Sequence, residues 1–342
     1  MKKYELILSV RDLNIKFNLR GKILHAIRGI DLDVYHGEVL AIVGESGSGK
    51  SVFTKSFMGL LDSNGSITSG TIDYFGADDH QPIRLSELKK EKDWLKVRGH
   101  EIAMIMQDPM TSLNPLKTIG DQIMEAVELH QGLKGAAARE KTLEYLRDVG
   151  IADPEVRFKQ YPHEFSRGMR QRVVIAIAVA CNPQILICDE PTTALDVTIQ
   201  AQILELLKEM RVKYNLTIIL ITHDLGVIAQ MADDVAVMYC GQVVEMAPAK
   251  TLFTDCEFSH PYTEGLMVSI PRLDTPAGVR LESIPGSVPH PLNLPKGCKF
   301  APRCKYCQQR CLEEEPELVN VTEEQQVRCF YPRKEERRAN LK

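Results

Sequence analysis

Long apolar segments are missing from this sequence. The longest uninterrupted apolar run, residues 173–181, has nine residues, whereas a transmembrane helix needs about 20. The N-terminus is not typical of a signal peptide, because Glu5 and Arg11 interrupt the apolar stretch that follows Lys2 and Lys3. We therefore expect a cytosolic protein that meets a membrane only through a partner.

A basic excess is missing as well. The chain has 42 lysine and arginine residues against 46 aspartate and glutamate residues, which gives a formal net charge of -4 at pH 7. Proteins that bind nucleic acid usually show a basic excess or a basic stripe, so no nucleic-acid partner is expected. The 342 residues are enough for one large domain with an appendage, or for two domains.

Cysteine is sparse over most of the chain and concentrated near its end. Four of the nine cysteines, Cys181, Cys188, Cys240 and Cys256, are scattered, whereas the other five lie within residues 298–329. In a cytosolic protein such a cluster indicates metal or redox chemistry rather than disulfides.

Residues 44–51 form a complete G-x-x-x-x-G-K-[ST] phosphate-binding loop. Its members are Gly44, Glu45, Ser46, Gly47, Ser48, Gly49, Lys50 and Ser51. An apolar run precedes the loop and a helix-compatible segment follows it, which is the strand–loop–helix setting that the motif requires. Glycines let consecutive N–H groups turn toward one anion, Lys50 can reach the β- and γ-phosphates, and the Ser51 hydroxyl can ligate Mg²⁺. The loop therefore predicts a nucleoside triphosphate site.

The remaining pattern predicts alternating strands and helices. Short apolar segments at 6–8, 13–17, 30–34 and 39–43 predict a small β-rich layer. Further strands are predicted at 69–74, 102–106, 185–188 and 216–221, with a hairpin over 235–244 around Cys240 and Gly241. Helical spacing covers 119–150 and 199–210, and residues 86–100 are compatible with a helix. This alternation indicates an α/β fold with a mainly parallel sheet.

Polar side chains follow several of these strands at their carboxyl ends, the edge at which open α/β sheets bind ligands. Asp189 closes one strand and is the natural Mg²⁺ partner of Ser51, while Glu190 is placed to orient or deprotonate a water that attacks the γ-phosphate. His223 follows another strand and could contact the γ-phosphate. Gln107 follows a third and could touch both Mg²⁺ and the attacking water. Each alone is more often a loop residue, but their joint occurrence with a phosphate loop predicts phosphoryl transfer.

In type and order these motifs resemble those of the nucleotide-binding subunits of ABC transporters. The matching segments beyond the loop are Gln107-Asp108-Pro109, Phe165-Ser166-Arg167-Gly168-Met169-Arg170-Gln171-Arg172, Asp189-Glu190-Pro191-Thr192, Ala194-Leu195-Asp196 and His223. The resemblance covers about residues 5–250. It implies a P-loop NTPase domain of the ABC type over residues 1–255, with a RecA-like core, an antiparallel β layer and a helical subdomain near 113–165. Residues 256–342, where proline is frequent from about 270, would form a loop-rich accessory domain containing the cysteine cluster.

The resemblance also implies a head-to-tail dimer in which ATP lies between the phosphate loop of one subunit and the signature segment of the other. Ser166 and Gly168 of this chain would then contact the γ-phosphate of the partner's ATP. Arg167 replaces the first glycine of the usual L-S-G-G-Q or F-S-G-G-M signature, so it either fits the backbone and adds positive charge or crowds that nucleotide. Where the family stacks adenine on an aromatic ring, His25 is the available ring, and Phe17 is better explained as a strand core residue.

A narrower resemblance is to the ATPases of dipeptide and oligopeptide permeases. It rests on residues 107–115, 161–165, 284–287 and 297–304. It implies an ATPase subunit at the cytoplasmic face of the membrane, in a heterodimer with a second, related ATPase, together with two transmembrane permease subunits and an extracytoplasmic solute-binding protein. ATP-driven dimer closure would power import, and segment 108–130 would contact a membrane subunit.

Two other functions stay open at this point. The same machinery could serve another solute, such as nickel or glutathione, because other subunits choose the solute. A soluble ABC-type ATPase acting on nucleic acid or ribosomes is less favoured, because such proteins usually have long coiled-coil insertions or two ATPase domains in one chain.

The cysteine cluster has three explanations. The residue types alone favour a Cys₄ zinc site and an iron–sulfur cluster about equally, because Cys304 and Cys307 have zinc-like spacing. Thiols without any ligand are the third explanation. The permease resemblance favours a [4Fe-4S] cluster held by Cys298, Cys304, Cys311 and Cys329, with Cys307 as a spare. A structural staple is the simplest hypothesis for such a centre.

Overall fold

The computed structural model describes residues 5–76, 82–193, 195–254, 258–269 and 283–334, with only the backbone described at Pro109 and Lys334. Ala194, Cys256 and the start of the proline-rich region, residues 270–282, lie outside the described residues. The chain forms two compact units. The first unit consists of residues 1–8, 34–39 and 73–221, and the second unit consists of residues 9–33, 40–72 and 222–342.

The strands of the described residues are β1 (Leu6–Leu19), β2 (Lys22–Tyr35), β3 (Val39–Val43), β4 (Gly65–Tyr74), β5 (Ile83–Arg84), β6 (Ile102–Ile105), β7 (Ile185–Asp189), β8 (Thr217–Ile221), β9 (Asp234–Tyr239), β10 (Gln242–Pro248), β11 (Phe258–Ser259), β12 (Val319–Asn320), β13 (Gln326–Val327) and β14 (Arg333–Lys334).

The helices are α1 (Lys50–Ser56), α2 (Glu91–Trp94), α3 (Pro109–Ser112), α4 (Ile119–Gln131), α5 (Gly135–Asp148), α6 (Pro154–Arg157), α7 (Arg167–Ala180), α8 (Val197–Tyr214), α9 (Leu225–Met231), α10 (Ala249–Phe253), α11 (Pro261–Val268) and α12 (Gln309–Glu313). Short 3₁₀ turns lie at Leu85–Glu87, Pro162–Glu164 and Ala301–Arg303. Across the described ranges, no helix is both long and apolar enough to cross a bilayer.

In the first unit, β6, β7 and β8 run parallel, with Ile102 opposite Ile185 and Ile185 opposite Thr217. β7 and β8 are buried along their whole length, as is usual for parallel strands covered on both faces. The strands predicted at 102–106, 185–188 and 216–221 are confirmed to within one residue at each end. Because the strands share one direction, their carboxyl ends lie at one edge of this sheet.

The helical stretch predicted over 119–150 is two helices rather than one. α4 begins after Thr118, whose side chain accepts the backbone N–H of Asp121, and it ends at Gly132 with φ 68°. A residue in the left-handed region ends a helix, and glycine adopts that conformation at little cost. α4 and α5 pack against each other and against α7, so the region predicted as a helical subdomain is largely helical.

Residues 86–100 were compatible with a helix, yet only α2 and a preceding 3₁₀ turn form there. The chain folds back after α2, because Gly99, at φ 83°, donates its N–H to the carbonyl of Ile102, and Ile102 donates its own to Val97. Charge pattern alone does not reveal this reversal.

In the second unit, the two 14-residue strands β1 and β2 replace the separate short segments predicted before residue 35. The two strands are joined by Arg20 and Gly21, at φ 48° and 83°, a pair of left-handed residues that suits a tight hairpin. Within the strands, Asp12 and Gly29 also have positive φ, 42° and 59°. Such residues change which face of the strand the following side chains occupy. The alternation of apolar and polar residues in the sequence is therefore interrupted, although the strand continues.

The second unit also contains a mixed sheet. β3 is parallel to β9, and β9 and β10 form the predicted hairpin, with Cys240 and Gly241 at φ 46° and 78°. β13, near the end of the chain, pairs with β10 through Glu245 and Val327. The C-terminal segment is therefore hydrogen-bonded into the sheet that contains the strand of the phosphate loop.

The described part of the C-terminal region, residues 283–334, is rich in loops, with short elements only. It does not build a separate core in the described ranges, because Phe300 packs in the same buried cluster as Val43, Tyr239 and Tyr262. The predicted domain boundary at residue 255 falls beside residues outside the described part and stays a prediction.

Candidate active site

The phosphate loop follows the buried strand β3 and leads into α1. Gly44 has no room for a side chain, since a Cβ there would lie 2.1 Å from the carbonyl oxygen of Met238. Gly47 and Gly49 have φ values of 79° and 101°, which side chains with a Cβ rarely adopt. Two different constraints, close packing and backbone conformation, thus require glycine in this loop.

The ammonium of Lys50 is held inside the loop. Its Nζ donates to the carbonyls of Gly44 at 2.7 Å and Glu45 at 3.1 Å, and the residue is 7% exposed. Ser48 is buried and its carbonyl accepts the N–H of Gly241. Ser46 and Gly47 are exposed at the tip of the loop. A buried cation among glycines is an arrangement that binds anions such as phosphate.

Glu45, the second residue of the loop, is held at two points. Its carboxylate accepts two bonds from Arg303, at 2.6 and 3.0 Å, and its backbone N–H donates to the hydroxyl of Tyr262 at 2.8 Å. The Glu45 carboxylate raises the pKa of Arg303 above its ordinary value. Arg303 and Tyr262 were not predicted as site residues, because only the fold brings them to the loop.

In the first unit, Asp189 and Glu190 stand at the end of β7. Asp189 is 6% exposed. Glu190 has φ 50°, and its carboxylate accepts bonds from the Gln107 amide at 2.8 Å and the Thr193 hydroxyl at 2.9 Å. A non-glycine residue in the left-handed region costs free energy, and such residues occur at turns and also cluster at active sites. The structure thus places Gln107 beside Glu190.

His223 belongs to the second unit, like the phosphate loop. It is exposed and lies between Thr222, whose N–H donates to the carbonyl of Ile42 in β3, and Asp224, whose side chain caps α9. His223 is therefore held between two anchored neighbours close to the strand that leads into the loop.

The signature segment opens α7 in the first unit. Ser166 caps the helix by accepting the N–H of Met169 at 3.3 Å. Arg167 is the first helical residue and is exposed, so a side chain is tolerated where the family usually has glycine. Gly168 is buried, and a Cβ there would lie 2.7 Å from a methyl group of Ile199. The segment accepts an arginine at one position and demands glycine at the next.

The two rings considered for adenine differ in their surroundings. Phe17 is 8% exposed, and a Cβ at Gly65 would lie 2.4 Å from its ring, so its interpretation as a core residue is confirmed. His25 is half-buried, and its Nε2 lies 3.0 Å from the Asn14 side-chain oxygen. Burial and the charge of Arg28 lower the pKa of His25, which favours the neutral ring.

Four of the five clustered cysteines line one cavity in the second unit. They are Cys298, Cys304, Cys311 and Cys329, and the cavity wall also includes the rings of Phe300 and Phe330. Cys307 is not among the residues that line the cavity. Cys307 nevertheless hydrogen-bonds with the thiol of Cys311, so the choice of four ligands with Cys307 as the spare stays a prediction.

Backbone N–H groups face some of these sulfurs; Cys311 is buried, and the other three cavity cysteines are half-buried. Tyr331 donates to the Sγ of Cys329 at 3.4 Å, and the backbone of Tyr306 hydrogen-bonds the thiol of Cys304. Burial, and to a lesser extent the neighbouring thiols, raises the pKa of Cys304 to about 11 and that of Cys329 to about 12. The raised pKa values favour the neutral thiol at Cys304 and Cys329.

Over the described ranges, no group of three or more His, Cys, Asp or Glu side chains is arranged to hold a metal ion. One zinc ion would need all of its sulfur ligands at about 2.3 Å. Neither a zinc site nor an iron–sulfur cluster is therefore supported by the arrangement of the described side chains, and both stay predictions.

Two family models match the chain. The model described as ABC transporter matches residues 27–193, and the model described as oligopeptide/dipeptide transporter, C-terminal region, matches residues 244–311. The first match contains the phosphate loop and the strand-end residues of β6 and β7, and the second contains Arg303 and three of the cavity cysteines.

Whole-length relatives are similar over nearly all of the chain. The oligopeptide transport ATP-binding protein AmiE of Streptococcus pneumoniae is 51% identical over 94% of this chain and 88% of its own length. The oligopeptide transport ATP-binding protein AppD of Bacillus subtilis is 50% identical over 95% and 96%. The dipeptide transport ATP-binding protein DppD of Escherichia coli is 46% identical over 95% and 97%.

Solved structures agree with this relationship. CbiO1 from Clostridium perfringens, part of the ABC transporter complex cbiONQ, has a TM-score of 0.61 and 31% identity over 73% of this chain and 92% of its own. The ATP-binding cassette MJ0796, solved as a dimer with ADP and Pi, has a TM-score of 0.61 and 25% identity over 71% and 98%. The chain belongs to the ABC transporter family, in which it is an ATP-hydrolysing subunit of the oligopeptide and dipeptide permease branch.

Proposed function

We propose that this chain hydrolyses ATP at its own phosphate loop to drive the import of di- or oligopeptides through a membrane complex. The observation that carries the hydrolytic role is the environment of Glu190, whose backbone is held at φ 50° and whose carboxylate is bonded to Gln107 and Thr193. The carboxylate is thereby fixed in one orientation before substrate arrives, which is what a group that positions an attacking water requires.

In this proposal each residue has a stated task. The loop residues bind the phosphates through backbone N–H groups and the Lys50 ammonium. Glu190 accepts a proton from the attacking water or orients it, and His223 donates a hydrogen bond to the γ-phosphate. The proton leaves the water as the new P–O bond forms, and the bond from the γ-phosphorus to the bridging oxygen breaks to release ADP and phosphate.

For Mg²⁺ the proposal rests on the chemistry of its predicted ligands alone. Ser51, Gln107 and Asp189 offer a hydroxyl, an amide oxygen and a carboxylate, the oxygen donors that Mg²⁺ prefers. The Gln107 amide nitrogen already donates to Glu190, which leaves the amide oxygen as the acceptor that could ligate a cation. The ion would supply charge neutralisation on the phosphate oxygens.

A second ATPase subunit is part of the proposal. MJ0796, a structural relative, was solved as a dimer. In a comparable head-to-tail pair, Ser166 and Gly168 would face the partner's nucleotide. The exposed Arg167 at the start of α7 would add positive charge there. Because the resemblance to the peptide permease ATPases implies a second, related ATPase, we favour a heterodimer.

Contacts with two membrane permease subunits at the cytoplasmic face complete the assembly, and an extracytoplasmic solute-binding protein would deliver the solute to them. For such a contact we propose segment 108–130, in which Met110, Leu116 and Leu129 are apolar and exposed, Leu116 by 85%. A partner that covered these side chains would remove apolar surface from water.

For the cysteine-lined cavity we favour a [4Fe-4S] cluster on Cys298, Cys304, Cys311 and Cys329. The fit rests on four thiols around one cavity and on backbone N–H groups facing the sulfurs, the arrangement that tunes such clusters in proteins. The cluster would supply cross-links between segments far apart in sequence. Zinc is the alternative that metal analysis would separate.

Uptake in a reconstituted system tests the transported solute. The complete complex, with its membrane subunits in liposomes and its solute-binding protein outside, should take up labelled di- and oligopeptides only when ATP is enclosed. ATP-driven uptake of nickel or glutathione without peptide uptake would contradict the peptide assignment while leaving the ATPase assignment intact.

A further inference from the structure

Arg303 makes a buried contact with the phosphate loop that the proposed mechanism does not use. Its side chain is 4% exposed, and its guanidinium forms a two-point ion pair with the Glu45 carboxylate at 2.6 and 3.0 Å. The Nε donates to the carbonyl of Pro285 at 3.0 Å, and the guanidinium lies 5.9 Å from the ring centres of Tyr239 and Phe300. An arginine held on so many sides has little freedom to reorient.

The same arginine belongs to the turn that presents two of the cavity cysteines. The 3₁₀ turn Ala301–Arg303 is closed by hydrogen bonds from the Ala301 N–H to the carbonyl of Cys298 and from the Cys304 N–H to the carbonyl of Ala301. Cys298 and Cys304 both line the cavity. Whatever fixes these two cysteines therefore also fixes the backbone that carries Arg303.

Tyr262 provides a second link from the C-terminal region to the loop. Its hydroxyl accepts the N–H of Glu45 at 2.8 Å, it is fully buried, and its ring packs 5.5 Å from that of Phe300. Glu45 is thus held at its backbone by one residue and at its carboxylate by another.

The ion pair also has an electrostatic consequence. Glu45 places a negative charge in a loop whose task is to bind a triphosphate, and like charges at short range oppose binding. Arg303 compensates that charge from a buried position, where screening by water and salt is weak. Without the arginine, Glu45 would repel the nucleotide and would lose the group that fixes its side chain.

We propose that Arg303 is a positioning residue of the ATP site, through which the cysteine-bearing turn holds the phosphate loop and neutralises Glu45. The proposal rests on the assignment of residues 44–51 as the ATP-binding loop. ATP affinity then depends on the integrity of the turn between Cys298 and Cys304.

The first test removes the arginine. Arg303→Met should weaken ATP binding on the order of tenfold, measured by competition against a fluorescent ATP analogue, and should raise KM for ATP with kcat changed less than about twofold, as for loss of uniform binding. Arg310→Met is the matched control, because Arg310 is an exposed arginine of the same region that pairs with Glu314. Unchanged affinity in Arg303→Met would overturn the proposal.

A double substitution separates positioning from general damage. In Glu45→Gln/Arg303→Met no carboxylate is left without its counter-charge, so ATP affinity should return to within about threefold of the Glu45→Gln variant. An affinity as low as that of Arg303→Met alone would show that the arginine acts in another way. If Arg303→Met does not fold, comparing the ATP affinity of Glu45→Gln with that of the double variant still tests whether Arg303 acts through Glu45.

Serine at Cys304 tests the link to the turn. Cys304→Ser should lower ATP affinity when Arg303 is present. In the Arg303→Met background it should lower ATP affinity by less than about a further twofold, because the ion pair between Arg303 and Glu45 is already absent. Equal effects in both backgrounds would contradict the link. Absence of any ATP binding in the unaltered protein would instead defeat the assignment of the loop, which is a different result.

Discussion

Glu190 differs from the other acidic residues of the site in its backbone. Its φ of 50° places it in a region that side chains with a Cβ adopt at a cost of about 1–3 kcal/mol. The bonds from Gln107 and Thr193 to its carboxylate, together with the bond from its own N–H to the carbonyl of Ile221, fix this conformation. The strain is consistent with a residue whose position matters more than its contribution to stability.

Glu190→Gln should keep ATP binding and reduce turnover by about 10²-fold or more, because the amide cannot accept the proton of the attacking water. The measurement is single-turnover hydrolysis alongside ATP affinity. Lys50→Ala is the contrasting variant, since loss of its ammonium should weaken ATP binding itself. Hydrolysis by Glu190→Gln at the normal rate would contradict the role given to the carboxylate.

Two cysteines that are close in sequence differ in whether they line the cavity. Cys304 lines the cavity and Cys307, three residues later, does not line it. Anaerobically purified protein should contain about four iron and four sulfide per chain, Cys304→Ser should lose them, and Cys307→Ser should keep them. Zinc without iron in the unaltered protein would contradict the proposed iron–sulfur cluster.

Among the elements, the close contact of α7 with α8 depends on one glycine. Gly168 lies where a Cβ would come within 2.7 Å of the Cγ2 of Ile199, and α7 is the helix that begins with the signature segment. The nearby Arg167 is exposed. Gly168 is therefore constrained by packing as well as being proposed to face the partner's nucleotide, whereas the exposed side chain of Arg167 is not constrained in this way.

Gly168→Ala should lower the free energy of unfolding by about 1–3 kcal/mol, because the added methyl overpacks the contact with Ile199. Thermal unfolding measures the change, and Arg167→Ala, at the neighbouring exposed position, is the control with little expected effect. Partial recovery in Gly168→Ala/Ile199→Ala would support the steric cause, whereas no loss of stability in Gly168→Ala would refute it.

For the whole molecule, the C-terminal region is integrated into the second unit. β13 pairs with β10, and Phe300 shares a buried cluster with Val43 of β3. The region also supplies the partners of Glu45 in the phosphate loop. A chain cut near the predicted boundary at residue 255 would therefore lose core contacts as well as the cysteines.

Truncation after residue 254 should lower the Tm by about 5 °C or more and weaken ATP binding, measured by calorimetry and nucleotide competition. The full-length chain, purified and measured in the same way, is the reference. A truncated protein as stable as the full chain would mean that the residues before the predicted boundary fold independently of the C-terminal region.

The sequence by itself determined the family and predicted the residues of the nucleotide site. The loop 44–51, the strand ends at Gln107, Asp189 and His223, and the family follow from contiguous motifs, because phosphate loops and buried strands are local patterns. The same holds for the buried strands β6 to β8, whose bounds differ from the predicted ones by one residue at most.

Only the tertiary structure decided what depends on residues distant in sequence. The sequence did not predict the full length of β1 and β2, because Asp12 and Gly29 interrupt the alternation of apolar and polar residues without ending the strands. The pairing of Arg303 with Glu45, 258 residues apart, has no local signal either. Contacts of this kind arise when separate segments share one core, and no short-range pattern of residue types encodes them.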